Sequence, residues 1–313
     1  MKITYRILTG ILVGSLFLLG GCSALTQSED SQNTNPENTQ TEETNESSDY
    51  IPVQDYTGQG YDLPNGEKAD NIAENHSEEI EKAVVDYFKE EYKTDVEVHN
   101  MVGAEDGVSV FVESKGKPHF YSFAIVPIDS SNQEVLTDEV WSQEYQVEQA
   151  IMSGLYAWIK EEEFTALDQY FKKFQKNHPV VGKNIAALEN VGGSYYMTPY
   201  YHVPIAGGKL EELLNQYLTD SNLSKEEWSE LLGEEGINPD MVNITIQLHM
   251  DESNVEPDEE IFNEMVNDIK SMEGIPAGTY SVLLHDNQIR KSSGQNNKPN
   301  SLQKSFPDPI IKK

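Results

Sequence analysis

A mostly apolar run of thirteen residues, Ile7–Leu19, follows Lys2 and Arg6, and the only cysteine of the 313-residue chain, Cys22, stands three positions beyond it. This arrangement limits what the rest of the chain can build. A transmembrane helix needs about 20 apolar residues, so the run is too short to span. A basic start, an apolar core of this length and small residues ahead of a cut site read instead as a secretory signal over residues 1–21. With no second cysteine there is no disulfide scaffold, no cysteine-rich zinc site and no thiol pair. Whatever folds downstream relies on a hydrophobic core alone.

Leu19-Gly20-Gly21-Cys22 resembles the lipobox of bacterial lipoproteins, which makes Cys22 the acylated mature N-terminus. One acyl chain holds a membrane only marginally, whereas the two chains of a diacylglyceryl group anchor it stably. The expected location is the cell membrane, lipid-anchored on the extracytoplasmic face, with the membrane itself as a partner. Residues 22–49 form the expected tether: beyond Cys22, only Ala24 and Leu25 are apolar, and seven acids stand without a base. Such a stretch cannot bury enough surface to offset its ordering entropy. Its reach is roughly 30 Å for a flexible coil of this length.

The formal charge of -32 argues against nucleic acid as a partner, because neutralising phosphates needs a basic footprint. Hydrophobic residues make up 37%, enough for a folded body. Helical spacing of apolar residues marks Ile72–Phe88, Val147–Trp158, Leu167–Phe174, Leu210–Leu218 and Ile261–Ile269. Alternation or a short apolar run marks strands at Val96–Val98, Val108–Val112, His119–Ile128, Val242–Leu248 and Thr279–His285. Strands and helices that do not strictly alternate predict an α+β class: a mixed sheet with packed helices, in up to two subdomains. The expected regions are 50–190 and 191–286, divided near Gly192-Gly193. Residues 287–313 read as a polar, basic tail, either a frayed terminus or a segment that docks on the acidic body.

Chemistry is sparse. No HExxH, P-loop, GxSxG or EF-hand pattern is present, so no catalytic residue, metal or cofactor is expected. Ser114-Lys115-Gly116-Lys117 fits SxxK but lies in a predicted hairpin. Four tyrosines at Tyr195, Tyr196, Tyr200 and Tyr201 read as core, with sugar stacking as the alternative. Glu144 falls on the stripe of Val140, Val147, Ile151 and Leu155. A helix beginning before Val140 turns this carboxylate inward and raises its pKa; a helix capped by Ser142 leaves it in the first turn. The connection between Val242–His249 and Thr279–His285 is about 30 residues with one helix. A connection of that length predicts a crossover and parallel pairing. His249 and His285 then share one carboxyl edge, with Asp251 and Asp286 just beyond, where open sheets bind ligands. His249 shares its face with Thr245 and Gln247, so an ordinary solvent-facing position is the competing expectation.

Several segments, YIPVQDYTGQGYDLPNGE (50–67), DGVSVFVESKGKPHFYSFAIVP (106–127), VWSQEYQVEQAI (140–151), HPVVGK (178–183), TPYYHV (198–203) and GTYSVLLHDN (278–287), resemble an uncharacterised family of Gram-positive lipoproteins, domain of unknown function 1672. The resemblance covers essentially everything beyond the tether. It implies a membrane-anchored surface protein and brings no activity, ligand or catalytic residue. The expected function is a binding or interaction module with a cell-wall or protein partner, rather than an enzyme. The alternative is a wall-associated hydrolase whose carboxylates are scattered in sequence.

Overall fold

The computed structural model describes residues 49–233 and 236–313. Cys22, the signal and nearly all of the tether lie outside the described residues. Among those described, no helix is long and apolar enough to cross a membrane.

The class is α+β. After a short strand β1 (Tyr50–Pro52), helices α1 (Glu67–Asn75) and α2 (Ser77–Tyr92) lead into β2 (Val96–Ala104), β3 (Gly107–Ser114), β4 (Tyr121–Asp129) and β5 (Glu134–Val135). These strands form an antiparallel sheet in sequence order. Val108, Val110 and Val112 are buried on one face, as period-two alternation requires. The single helix expected over Ile72–Phe88 is two, broken at His76, whose N–H caps the Ala73 carbonyl at 3.1 Å. Ser114 is structural: its hydroxyl donates to Pro118 O and accepts from Phe120 N, both at 2.9 Å.

Helix α3 (Gln146–Ile159) is the centre of the molecule, with ten of its last thirteen residues buried. A helix that is apolar nearly all round belongs inside a protein, and this one packs between the antiparallel sheet and the elements that follow. Small residues permit the close approach: a Cβ on Gly154 would stand 2.7 Å from His119 O. Ser153 Oγ donates to Val203 O at 2.6 Å and accepts from Tyr196 N at 2.8 Å, so the one polar group on that face is satisfied.

Beyond α4 (Glu161–Asn177) come β6 (Val180–Val181), α5 (Ile185–Val191), β7 (Tyr201–His202), α6 (Lys209–Thr219), α7 (Lys225–Leu232), β8 (Asn243–Met250), α8 (Glu259–Ser271) and β9 (Gly278–His285). Ser224 and Glu227 close a reciprocal capping box on α7, a helix without an apolar stripe long enough to predict. Strands β8 and β9 run parallel, in register from Asn243↔Thr279 to His249↔His285, as the length of their connection predicts. β6 and β7 pair antiparallel along the free edge of β8.

Two expectations need correction. The division at 190/191 is not a structural boundary: β6 from the first region pairs with β8 from the second. One continuous core joins both regions, and the described residues belong to one compact unit. Residues 287–313 are not a free polar tail. They supply β10 (Gln288–Arg290), paired with β1, and β11 (Leu302–Lys304) and β12 (Ile310–Lys312), both antiparallel to β9.

Candidate functional site

The mixed sheet has two different faces. Ile244, Ile246, Leu248, Tyr280, Val282 and Leu284 point into the core at 0% exposure, each such side chain stabilising by about 1.5–3 kcal/mol. Alternation sends Thr245, Gln247 and His249 of β8, and Ser281, Leu283 and His285 of β9, to the opposite face. That face carries a roof. Strands β1 and β10, helix α5 and the 294–297 loop lie over it, held by a small apolar cluster of Val53, Tyr56, Ala187 and Ile289. Asn287 ties roof to sheet edge, its amide donating to Met250 O at 2.7 Å and Gln54 Oε1 at 2.8 Å.

His249 and His285 are therefore fully buried rather than solvent-facing, with ring centroids 5.2 Å apart. His249 Nε2 meets the Asn296 side-chain amide. His285 Nδ1 meets Ser301 Oγ at 2.8 Å. His285 Nε2 is buried with no hydrogen-bond partner among the described residues, while His249 lies against the Val181 backbone. Beyond the edge, Asp286 is engaged by Lys298 at 2.6 Å. Asp251 Oδ1 is buried without a partner among the described residues.

A pocket of about 410 Å³ opens between sheet and roof. Gln247, His202 and Lys183 line the sheet side, Leu188, Val191 and Ile289 the roof, and Tyr195, Met197 and Asn296 complete the wall. The pairing Val181↔His249 brings Lys183, two residues on, alongside the polar face of β8. Lys183 N donates to Pro199 O at 2.8 Å. Gly182 permits this approach, since a Cβ there would lie 2.6 Å from Pro199 O.

Lys183 is half-buried, and its ammonium has no hydrogen bond or ion pair with any described residue. Burial lowers its pKa to about 8. Burial and then the Lys183 charge lower His202 to about 4 and likewise His285 to about 4. His249 is pushed well below the ordinary imidazole value by burial, then by His285 and Lys183. At neutral pH the site is thus one cation among three neutral imidazoles. No acidic side chain lines the pocket, although the chain has 54 acids against 22 bases.

The structure brings His249 and His285 together and leaves Glu144 apart. Glu144 is exposed in the turn before α3, because Val140–Trp141 is extended, Trp141 bridging Ile125 of β4. The inward-facing carboxylate is not formed. Ser142 is not the cap either: Tyr145 in the left-handed region (φ 65) holds that position, and the Ser142 hydroxyl bonds Tyr87 and Tyr92, both at 3.0 Å. Of the tyrosines, Tyr200 and Tyr201 are buried and Tyr195 and Tyr196 half-buried. Sequence reasoning passed over Lys183, His202 and Asn296. The available signal was a lysine beside two apolar residues and a glycine in Val180-Val181-Gly182-Lys183, a poor setting for a solvated charge.

A crystal structure of a DUF1672 family protein from Staphylococcus aureus subsp. aureus Mu50 superimposes with a TM-score of 0.70 at 18% identity, covering 85% of this chain and 98% of that one. At that identity it supports the fold. No curated protein matches the chain. The sequence profile described as protein of unknown function (DUF1672) matches residues 43–312, and the chain belongs to that family.

Proposed function

We propose that the protein is a lipid-anchored, extracytoplasmic binding module that takes a small ligand in the pocket between the polar face of the mixed sheet and its roof. The observation that carries this reading is a roofed pocket whose sheet side presents Lys183, His202 and Gln247, with donors that no described residue saturates. An apolar wall with a few convergent polar groups is the usual make-up of a small-molecule site. Leu19-Gly20-Gly21-Cys22 supports the anchor, and the acidic tether supports a body held near the membrane surface. Fractionation tests the anchor: Cys22→Ala should appear in the medium or remain unprocessed, and normal membrane retention would refute it. Filling the pocket with Val191→Trp should abolish ligand binding while leaving the fold intact.

The wall-hydrolase alternative gains from a second, smaller pocket of about 200 Å³ beside α4, lined by Glu161, Asp168 and His119. Burial raises the Asp168 pKa against the Tyr201 hydroxyl at 2.8 Å, while Lys225 and Lys117 lower that of Glu161. Carboxyls pushed apart in this way are what acid and base roles require. Two helical turns separate them by roughly 10 Å at the backbone. Release of reducing sugar from purified wall, lost in Asp168→Asn, would favour this reading; no release would remove it.

A further inference from the structure

We infer that the pocket over the polar face of the mixed sheet is a site for a small organic carboxylate, its anionic group on the Lys183 ammonium and its apolar body against Leu188, Val191 and Met197. The inference rests on the binding-module reading and names its ligand class. The surroundings of Lys183 carry it. Lys183 has no acidic or hydrogen-bonding partner among the described residues, and its half-buried ammonium carries three donors that call for acceptors. The lining contains no carboxylate to compete for it, so the one strong interaction on offer is with an incoming anion. The imidazole that lines the pocket is His202, while His249 and His285 lie fully buried beneath it. An acid at Thr245, Gln247, His249 or Asn296 would satisfy the lysine, and none is present there.

The chemistry narrows the anion further. One cation without an arginine fork suits a single negative charge better than a phosphate dianion, which draws on several donors at once. The opposite wall is aliphatic, with Leu188, Val191 and Ile289, which suits a hydrocarbon body. Asn296 links the pocket to the interior. Its amide meets His249 Nε2 while its residue forms part of the wall, so occupancy at Lys183 and the geometry of the buried histidine pair share one side chain.

The test uses the full chain in detergent and isothermal titration with three probes: benzoate, its neutral isostere benzamide, and inorganic phosphate. Benzoate should bind at least about tenfold more tightly than benzamide, the scale of a charge-assisted contact. Lys183→Met should lose that advantage and Lys183→Arg retain most of it, with circular dichroism confirming that both variants fold. Equal binding of benzoate and benzamide, unchanged in Lys183→Met and abolished by Val191→Trp, would overturn the carboxylate assignment and leave the pocket reading standing. Phosphate binding tighter than benzoate would also overturn it. Failure of all three probes to bind at millimolar concentrations would take down the pocket reading with it.

Discussion

The two sheets solve the same problem in opposite ways. Each packs one apolar face on the shared core and has a second face to cover. On the antiparallel sheet the second face carries Phe111 and Phe123, 5.7 Å apart, with Tyr61 edge-on to Phe111. Its polar residues are matched: Glu113 takes His99 at 2.9 Å on one oxygen and His119 at 2.6 Å on the other. On the mixed sheet, His249 and His285 are fully buried, Lys183 acts on both and Asp286 on His285, and no acid among the described residues lines the pocket. Burial and the nearby Lys183 charge hold His202 and His285 neutral. The first arrangement is structural mortar. The second leaves the Lys183 ammonium without a partner among the described residues.

Acid should break the contrast most strongly. His202 and His285 have folded pKa values near 4 against about 6.5 unfolded. The folded state therefore binds fewer protons than the unfolded one below pH 6.5, and the stabilisation present above 6.5 is lost as pH falls toward 4. At pH 5 the two together should cost roughly 4 kcal/mol. Urea melts at pH 7 and 5, compared with the His285→Asn variant, should show that variant losing less on acidification; equal losses would refute the assignment.

Next in size is Gly154→Ala in the helix both sheets share. The new Cβ would meet His119 O, an overpacking cost of about 1–3 kcal/mol, readable as a lower denaturation midpoint. Binding comes next. If the ligand sits on Lys183, benzoate affinity should fall roughly tenfold between pH 7 and pH 9 as the amine passes its pKa of about 8. Over that range His202, His249 and His285 stay neutral and Lys298 remains paired with Asp286. A flat profile would place the anion elsewhere. The smallest effects carry the sharpest sign test. Glu113→Gln should destabilise by about 1 kcal/mol by breaking two bridges, while Lys183→Met should stabilise by about 1 kcal/mol by removing an unpaired, half-buried charge. Shifts of the same sign in both would collapse the distinction between the two sheets.

Most elements were legible because their signals are local. Val108, Val110 and Val112 alternate, Val147, Ile151 and Leu155 repeat at helical spacing, and the connection from His249 to Thr279 is too long for a hairpin. The misreadings share a physical cause. Glu144 fell on the helical stripe, but Trp141 is drawn into a bridge with Ile125, and the helix starts after it. β10, β11 and β12 are three residues each, too short to show a period, and they exist because β1 and β9 offer them edges.

From the residues alone came the α+β class, the parallel β8–β9 pair and the placing of His249 beside His285. Alternation also separated Ile244, Ile246 and Leu248 from Thr245, Gln247 and His249. Only the tertiary structure decided that both faces are covered. Side-chain parity is set by backbone geometry within a strand, but whether a face meets water or a roof depends on chain far away in sequence. Tyr50–Pro52 pairs with Gln288–Arg290 across some 240 residues, and Asn296 reaches back to His249. That roof turns two polar strand positions into a buried pair and Lys183 into the unpaired cation beside them.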